Sequence, residues 1–176
     1  MRVGRTRIAS PRSLDIRPTS GLVRKVLFDT IGSQIQGAAF LDLFAGTGSV
    51  GLEALSRGAA SAVFVERHRS AARVLRLNIE LAGAARVCRV LVCSAIAFLK
   101  RQKDSCVFDI IFADPPYERG YLKLLIHILA SGEKLPTRVL IIQTSKHELR
   151  DAMIPSGWSV RQKVIGDTVL LLVERE

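Results

Sequence analysis

Asp114-Pro115-Pro116-Tyr117 closes the apolar run 108–113 and sets an acceptor, a rigid backbone and an aromatic face side by side. A carboxylate accepts from an exocyclic N–H, two prolines fix φ and remove two backbone donors, and a tyrosine ring offers a stacking surface. That set suits a flat base bearing an amino group. Taken alone, it reads equally well as a strand ending in a Pro-rich turn with a capping Asp. A second chemical stretch lies upstream, where Gly46, Gly48 and Gly51 satisfy G-x-G-x-x-G. Such glycines allow a tight turn and close approach of a ligand to the backbone at a helix N-terminus. Glu66 follows about twenty residues beyond Gly46, where an acidic side chain meets a ribose hydroxyl pair. A dinucleotide and S-adenosylmethionine both satisfy this pattern. Asp42 favours the second, because a carboxylate just before the loop suits a positively charged amino-acid group and sits poorly beside a pyrophosphate. No Tyr-x-x-x-Lys or His-based hydride-transfer set follows the loop, which leaves a nicotinamide enzyme with the least support.

The elements that must position these residues alternate between short apolar runs and longer amphipathic segments, the pattern of a parallel sheet flanked by helices. Strands are expected over 39–44, 61–65, 86–92, 108–113 and 138–143, nearly continuous in apolar residues as when both sheet faces are covered. Helices are expected over 49–57, ended by Gly58, over 69–81, ended by Gly83, and over 95–103 and 121–129. The segments 158–165 and 168–173 around Gly166-Asp167 read as a β-hairpin, so the sheet closes with antiparallel strands. A further amphipathic helix spans 22–31, with Val23, Val26, Leu27 and Phe28 able to face a core and Thr19 placed to cap it. No repeat, linker or low-complexity tract interrupts the chain, and a single domain over 1–176 is expected, with 1–20 as a basic arm or hairpin within it.

The formal charge of +10 and pI near 10.3 favour a polyanionic partner. Residues 1–25 hold Arg2, Arg5, Arg7, Arg12, Arg17, Arg24 and Lys25 against Asp15 alone, so much of the charge sits at the N-terminus. A solvated basic tail is the plain reading of that run, and a grip on phosphates is the functional one. Lys100, Arg101 and Lys103 form a second cluster that reads as an ordinary helix end, where cations complement the dipole. Cys88, Cys93 and Cys106 include no C-x-x-C pair, and Cys88 and Cys93 flank an apolar strand as small hydrophobes would. His68, His127 and His147 are scattered, so no metal is expected. No apolar run approaches the ~18 residues of a membrane span, and a cytoplasmic protein with reduced thiols is expected.

Five segments, Arg17-Pro18-Thr19, 41–48, 51–59, 63–66 and 114–117, together resemble the bacterial ribosomal RNA methyltransferases, and most of all the RsmD family. That family methylates the exocyclic N2 of a guanine in 16S rRNA with S-adenosylmethionine. The resemblance spans nearly the whole chain, in order and at the right spacing. It implies a Rossmann-like class I methyltransferase of α/β class, with a mostly parallel seven-stranded sheet, a C-terminal antiparallel hairpin and helices on both faces. Gly46 and Gly48 would pass under the methionine part of the cofactor, Asp42 would meet its amino group directly or through water, and Glu66 would take the ribose hydroxyls. Phe44, Ser94 and Ala95 complete the implied cofactor set. Asp114 and the Pro115 carbonyl would accept the two amino hydrogens of the guanine, with Pro116 holding the turn and Tyr117 stacking on the base. Arg17 and Thr19 would lie near cofactor and target, and Arg2, Arg5, Arg7 and Arg12 would contact phosphates. The implied product is S-adenosylhomocysteine, and the implied partner is 16S rRNA or a small ribosomal subunit particle, bound by a monomer without membrane or metal.

The chain departs from the family pattern at three places. Cys93-Ser94-Ala95 stands where Gly-Asp-Ala is usual, which predicts weaker adenine binding more than lost activity. Gly21-Leu22 replaces Asp-Arg at the start of the first helix, which predicts a looser start. Gln143 stands where an acidic residue is common and alters a contact near Asp114. Two other readings share these residues: a DNA adenine or cytosine amino-methyltransferase, for which the chain has little room for groove readout, and a non-catalytic RNA-binding assembly factor on a methyltransferase scaffold.

Overall fold

Apolar runs with β-branched residues at their centres pair as strands, and the amphipathic segments between them cross over as helices. The computed structural model describes residues 2–3, 6–7, 19–101, 108–116, 120–130, 137–149 and 157–175. The chain opens with β1 (Arg2–Val3) and β2 (Thr6–Arg7), a short antiparallel ribbon with Arg2 opposite Arg7. Then follow α1 (Gly21–Ile31), β3 (Ala39–Asp42), α2 (Ser49–Ser56), β4 (Ser61–Val65), α3 (Arg69–Leu81), β5 (Cys88–Leu91) and α4 (Ala95–Arg101). The second half comprises β6 (Ile110–Ala113), α5 (Tyr121–Ala130), β7 (Val139–Ser145), the short α6 (Lys146–Leu149), β8 (Trp158–Ile165) and β9 (Thr168–Arg175).

Seven of these strands form one sheet in the order β5-β4-β3-β6-β7-β9-β8. The first five are parallel, and β9 runs antiparallel between β7 and β8. This is the expected class I methyltransferase architecture with its C-terminal antiparallel pair. The chain winds outward from β3 through β4 and β5, then returns to the other side of β3 with β6. The order therefore reverses between β3 and β6, and in such sheets ligands bind outside the carboxyl ends at that switch point. The glycine loop leaves β3 and Asp114 leaves β6, so topology alone brings the two chemical stretches together.

Alternation along the strands sorts the core into two layers. Leu41, Leu43, Ile111, Leu140 and Leu171 face Phe98 and Leu99 of α4 and Leu122 and Leu125 of α5. Phe40, Ile110, Ile141 and Leu170 face Leu27, Phe28 and Ile31 of α1 and Val50 and Ala54 of α2. A third cluster joins Leu52, Phe64, Leu75 and Ile79 under α3. Strand boundaries differ from expectation where loops or partners intervene. β3 stops at Asp42 because the chain turns there, although Leu43 N–H still donates to Phe112 C=O at 2.9 Å. A 3₁₀ turn over Ala85–Val87 takes the start of the expected third strand, and β7 runs on to Ser145 because β9 pairs with it through Thr168. No helix of the described residues is long and apolar enough to cross a membrane.

The docking of α1 on α2 rests on a buried charge pair. Arg24, 6 % exposed, donates from Nε to Glu53 Oε2 at 2.8 Å, and Glu53 Oε1 accepts from Arg57, whose guanidinium lies 4.9 Å over the Phe28 ring. Removing one partner of such a pair strands the other charge away from water, at about 3–5 kcal/mol. Glu53→Ala is expected to lose about 3 kcal/mol of unfolding free energy in urea titrations. A loss within about 0.5 kcal/mol of zero, the range of an ordinary surface substitution, would show that the pair does not hold α1 in place.

Candidate active site

The loop after β3 is shaped by its glycines and pinned from two sides. Gly46 and Gly48 adopt φ of 54° and 84°, the left-handed region that favours glycine. A Cβ on Gly48 would also collide with Leu75 of α3, so this turn and that helix pack without a gap. From the same helix the fully buried Asn78 donates from Nδ2 to Thr47 C=O at 2.9 Å. From the end of β4, Glu66 accepts from Gly46 N–H at 2.9 Å through Oε2 and from His68 N–H at 2.7 Å through Oε1. Its carboxylate is thereby fixed in orientation, with lone pairs remaining for hydroxyl donors.

Asp114 is fixed by the other half of the fold. Thr19 Oγ1 donates to Asp114 Oδ2 at 3.1 Å, across 95 positions of sequence. Arg24 Nη1 donates to Thr19 C=O at 2.6 Å, so the ion pair that docks α1 also sets the backbone of Thr19. Thr19 therefore does not cap α1. Ser20 does, accepting from Val23 N–H at 3.2 Å, and this side-chain cap secures the helix start that Gly21-Leu22 was expected to loosen. The β6–β7 register pairs Ala113 with Ile142, and the residues that follow them, Asp114 and Gln143, line the same cavity.

Asp42 lies on this face too, paired in register with Phe112, two residues before Asp114. It is 1 % exposed, and among the described residues its Oδ1 has no hydrogen-bond partner. Burial pushes its carboxyl up to about 7, against hydrogen bonds from Gly51 and Phe44 N–H that lower it and with repulsion from Asp114 and Glu66 adding to the rise. Burial likewise raises Asp114 to about 7, opposed by the Thr19 hydrogen bond. Asp42, Asp114 and Thr19 share a recess of about 30 Å³ with Phe44, Gly46 and Ser49. That is room for about one water with several polar partners. An orphaned, buried acceptor opening on such a recess fits a cationic amino group reached through water.

The recess adjoins a cavity of about 690 Å³, within the range of small-ligand sites. Of the residues expected from sequence, Thr19, Phe44, Gly46, Glu66, Ser94, Ala95, Asp114, Pro115 and Pro116 line it. Asp42 reaches only the recess, and Gly48 lines neither, serving as the N-cap of α2 against Leu75. Ser94 Oγ accepts from Ala97 N–H at 3.1 Å and so caps α4, leaving its hydroxyl hydrogen to donate. A donor there matches the adenine amino group less well than a carboxylate does. Leu43, Phe44 and Val65 give the cavity an apolar wall for a flat ring. Tyr117, Arg5, Arg12 and Arg17 lie outside the described residues, as do Lys103 and Cys106, and Arg2 and Arg7 are described in backbone only. Cys88 and Cys93 are half-buried free thiols, with Cys88 pushed up to about 11 by desolvation and so unreactive.

Several lining residues escaped the sequence reading, Tyr121, Arg67 and His68 among them. Tyr121, the first residue of α5, packs edge-on to Phe44 with ring centroids 5.4 Å apart. Its signal was an aromatic a few residues past Tyr117. Arg67 and His68 stand at the cavity mouth directly after Glu66, with Arg67 Nε donating to His68 Nε2 at 2.8 Å. Their position next to a ribose-type acidic residue was the available clue.

Asp42 has a folded pKa raised from 3.8 to about 7, so between those values the folded state binds the extra proton and stability falls as pH rises. The cost is absent below about pH 4 and complete above about pH 7. Asp42→Asn removes it, and the variant's gain over wild type should be on the order of 2 kcal/mol larger at pH 8 than at pH 5, roughly 4–8 °C in Tm. Melting curves that keep a constant offset between those pH values would show that Asp42 ionises normally.

The chain is similar to known proteins over most of its length. A family model described as Conserved hypothetical protein 95 matches residues 2–174. Ribosomal RNA small subunit methyltransferase D of Escherichia coli (strain K12) is 37% identical over 167 residues, covering 94% of this chain and 83% of the relative. The protein of the same name from Haemophilus influenzae is 31% identical over 154 residues, covering 86% and 79%. Among solved structures, yhhF from Escherichia coli superposes with a TM-score of 0.79 at 36% identity, covering 92% of this chain and 88% of that one. A hypothetical protein of Thermus thermophilus gives 0.78 at 32% identity, covering 98% and 95%. Matched by this family model over residues 2–174 and 37% identical to a relative over 94% of its own length, the chain belongs to the RsmD family of methyltransferases.

Proposed function

We propose that this protein transfers the methyl group of S-adenosylmethionine to the exocyclic N2 of a guanine in 16S rRNA, free or within a small-subunit particle. The observation that carries the reading is Asp114, oriented by Thr19 at the switch point and facing the same cavity as Glu66 and the glycine loop. The names of the relatives from Escherichia coli and Haemophilus influenzae support small-subunit rRNA as substrate. When bound, S-adenosylmethionine supplies an electrophilic methyl group on a sulfonium.

Glu66 would hold the ribose hydroxyls, Asp42 the amino group through the recess, and Ser94 and Ala95 the adenine edge. The acidic lining of Asp42, Glu66 and Asp114 complements a cationic cofactor. On the substrate side, a guanine amino group is a poor nucleophile because its lone pair is delocalised into the ring. Asp114 Oδ1 and the Pro115 carbonyl accept its two hydrogens, which favours a pyramidal nitrogen and aims the lone pair at the methyl group. Thr19 engages the other oxygen of Asp114, which orients the carboxylate and leaves Oδ1 wholly to the base. The base must leave its stack to reach this pocket, and stacking on Tyr117 would return ~1–3 kcal/mol of that cost. After attack the nitrogen gives its proton to Asp114 or to water, with orientation and electrostatics supplying most of the acceleration.

Asp114→Ala is expected to lower methyl incorporation into 16S rRNA by about 100-fold or more while S-adenosylhomocysteine still raises the Tm. Incorporation of labelled methyl into duplex DNA and not into 16S rRNA or small-subunit particles would overturn the substrate. A second test uses the pH profile. The ionised form of Asp114 accepts from the base, so kcat/KM should rise with pH through the value near 7. Thr19→Val removes the hydrogen bond that favours ionisation, so the rise should move to higher pH, and Thr19→Ser should restore it. Superimposable profiles for Val and Ser variants would remove Thr19 from the site.

A further inference from the structure

Helix α3 carries a charge pattern that its own stability does not favour. Its buried face is Ala71, Ala72, Leu75, Asn78 and Ile79. On the opposite side Arg69, Arg73 and Arg76 follow one another at spacings of four and three, which places them in one stripe, about 10 Å from first to last. Like charges at these spacings repel, and Arg69 sits in the first turn, where the helix dipole disfavours a cation. No acidic residue stands in that turn to compensate. Glu80 is the only acidic residue between Arg67 and Arg89, a stretch with six arginines.

Lys25, Arg57, Arg138 and Arg161 each form an ion pair, whereas among the described residues none is formed by Arg69, Arg73 or Arg76, all of which are exposed. At the head of the stripe lies Arg67, at the mouth of the cavity that holds Glu66 and Asp114. A local arrangement that costs the helix stability and forms no ion pair among the described residues, yet begins at the candidate site, marks a surface built for a partner. The sequence shows the first basic block plainly. This second one is hidden within an amphipathic helix.

We propose that the α3 stripe of Arg69, Arg73 and Arg76 is a docking surface for the phosphate backbone of the RNA that carries the target base, with Arg67 leading from the stripe to the cavity. This rests on the rRNA reading above. Cations spaced along a rigid helix neutralise successive phosphates without reading sequence, and their contribution falls with salt. The stripe would hold the flanking RNA while Asp114 and Pro115 select the base.

The test is the triple variant Arg69→Gln/Arg73→Gln/Arg76→Gln, which keeps good helix formers on α3. Filter binding to 16S rRNA across a salt series should show a log–log slope shallower by about 2–3 and an affinity at least about tenfold weaker at low salt. The KM for rRNA should rise with kcat retained, and the thermal shift given by S-adenosylhomocysteine should stay at the wild-type value. A matched control, Lys100→Gln/Arg101→Gln/Lys163→Gln, removes the same charge elsewhere and should keep the wild-type slope. An unchanged slope in the stripe variant, or an equal loss in the control, overturns the stripe while leaving the rRNA reading intact. Wild-type protein that neither binds nor methylates 16S rRNA or small-subunit particles overturns both.

Discussion

A carboxylate at the buried end of a strand keeps a defined orientation only if something holds it, and for Asp114 that is the hydroxyl of Thr19 at 3.1 Å. The rest of the site depends on this contact through a chain of packing steps. Thr19 is held by Arg24, Arg24 by Glu53 of α2, and α2 begins where Gly48 ends the glycine loop. The same loop is tied to Glu66 and to Asn78. Both chemical stretches are thus parts of one mechanical unit around the β3–β6 border.

The electrostatics divide the molecule into an acidic interior site and a basic exterior. Asp42, Asp114 and Glu66 converge in the cavity region, and two of them are kept near neutral pKa by burial. Such an interior is costly for folding and suited to a cationic ligand. The sequence as a whole carries a net +10, and on the described surface Arg69, Arg73 and Arg76 of α3 and Arg86 in the turn after it are exposed cations. One protein can therefore attract a polyanion and a cation without conflict, because low-dielectric walls and distance separate the two fields.

Much of the fold was legible because periodicities of two and 3.6 mark strands and helices directly. The runs at 61–65, 69–81 and 158–165 appear at their expected limits. Boundaries drifted where a partner decides them: β7 continues to Ser145 because β9 lies beside it. For the site, residue types and spacing pointed to Gly46, Glu66 and Asp114, since glycine freedom and fixed offsets are local properties. The choice between Ser20 and Thr19 as helix cap was not legible, because both can cap and only a distant acceptor distinguishes them.

The sequence by itself determined the order of strands and helices, the places where the backbone must turn left-handed, and the acidic and aromatic groups available at strand ends. These follow from side-chain chemistry and neighbours within a few residues. Only the tertiary structure decided that Thr19 serves Asp114, that Asp42 faces a recess and not the open cavity, and that Gly48 answers to Leu75. Each is a contact between residues far apart in the chain. Its geometry is set by how the sheet and its flanking helices pack, to a tolerance of a few tenths of an ångström that no local pattern encodes.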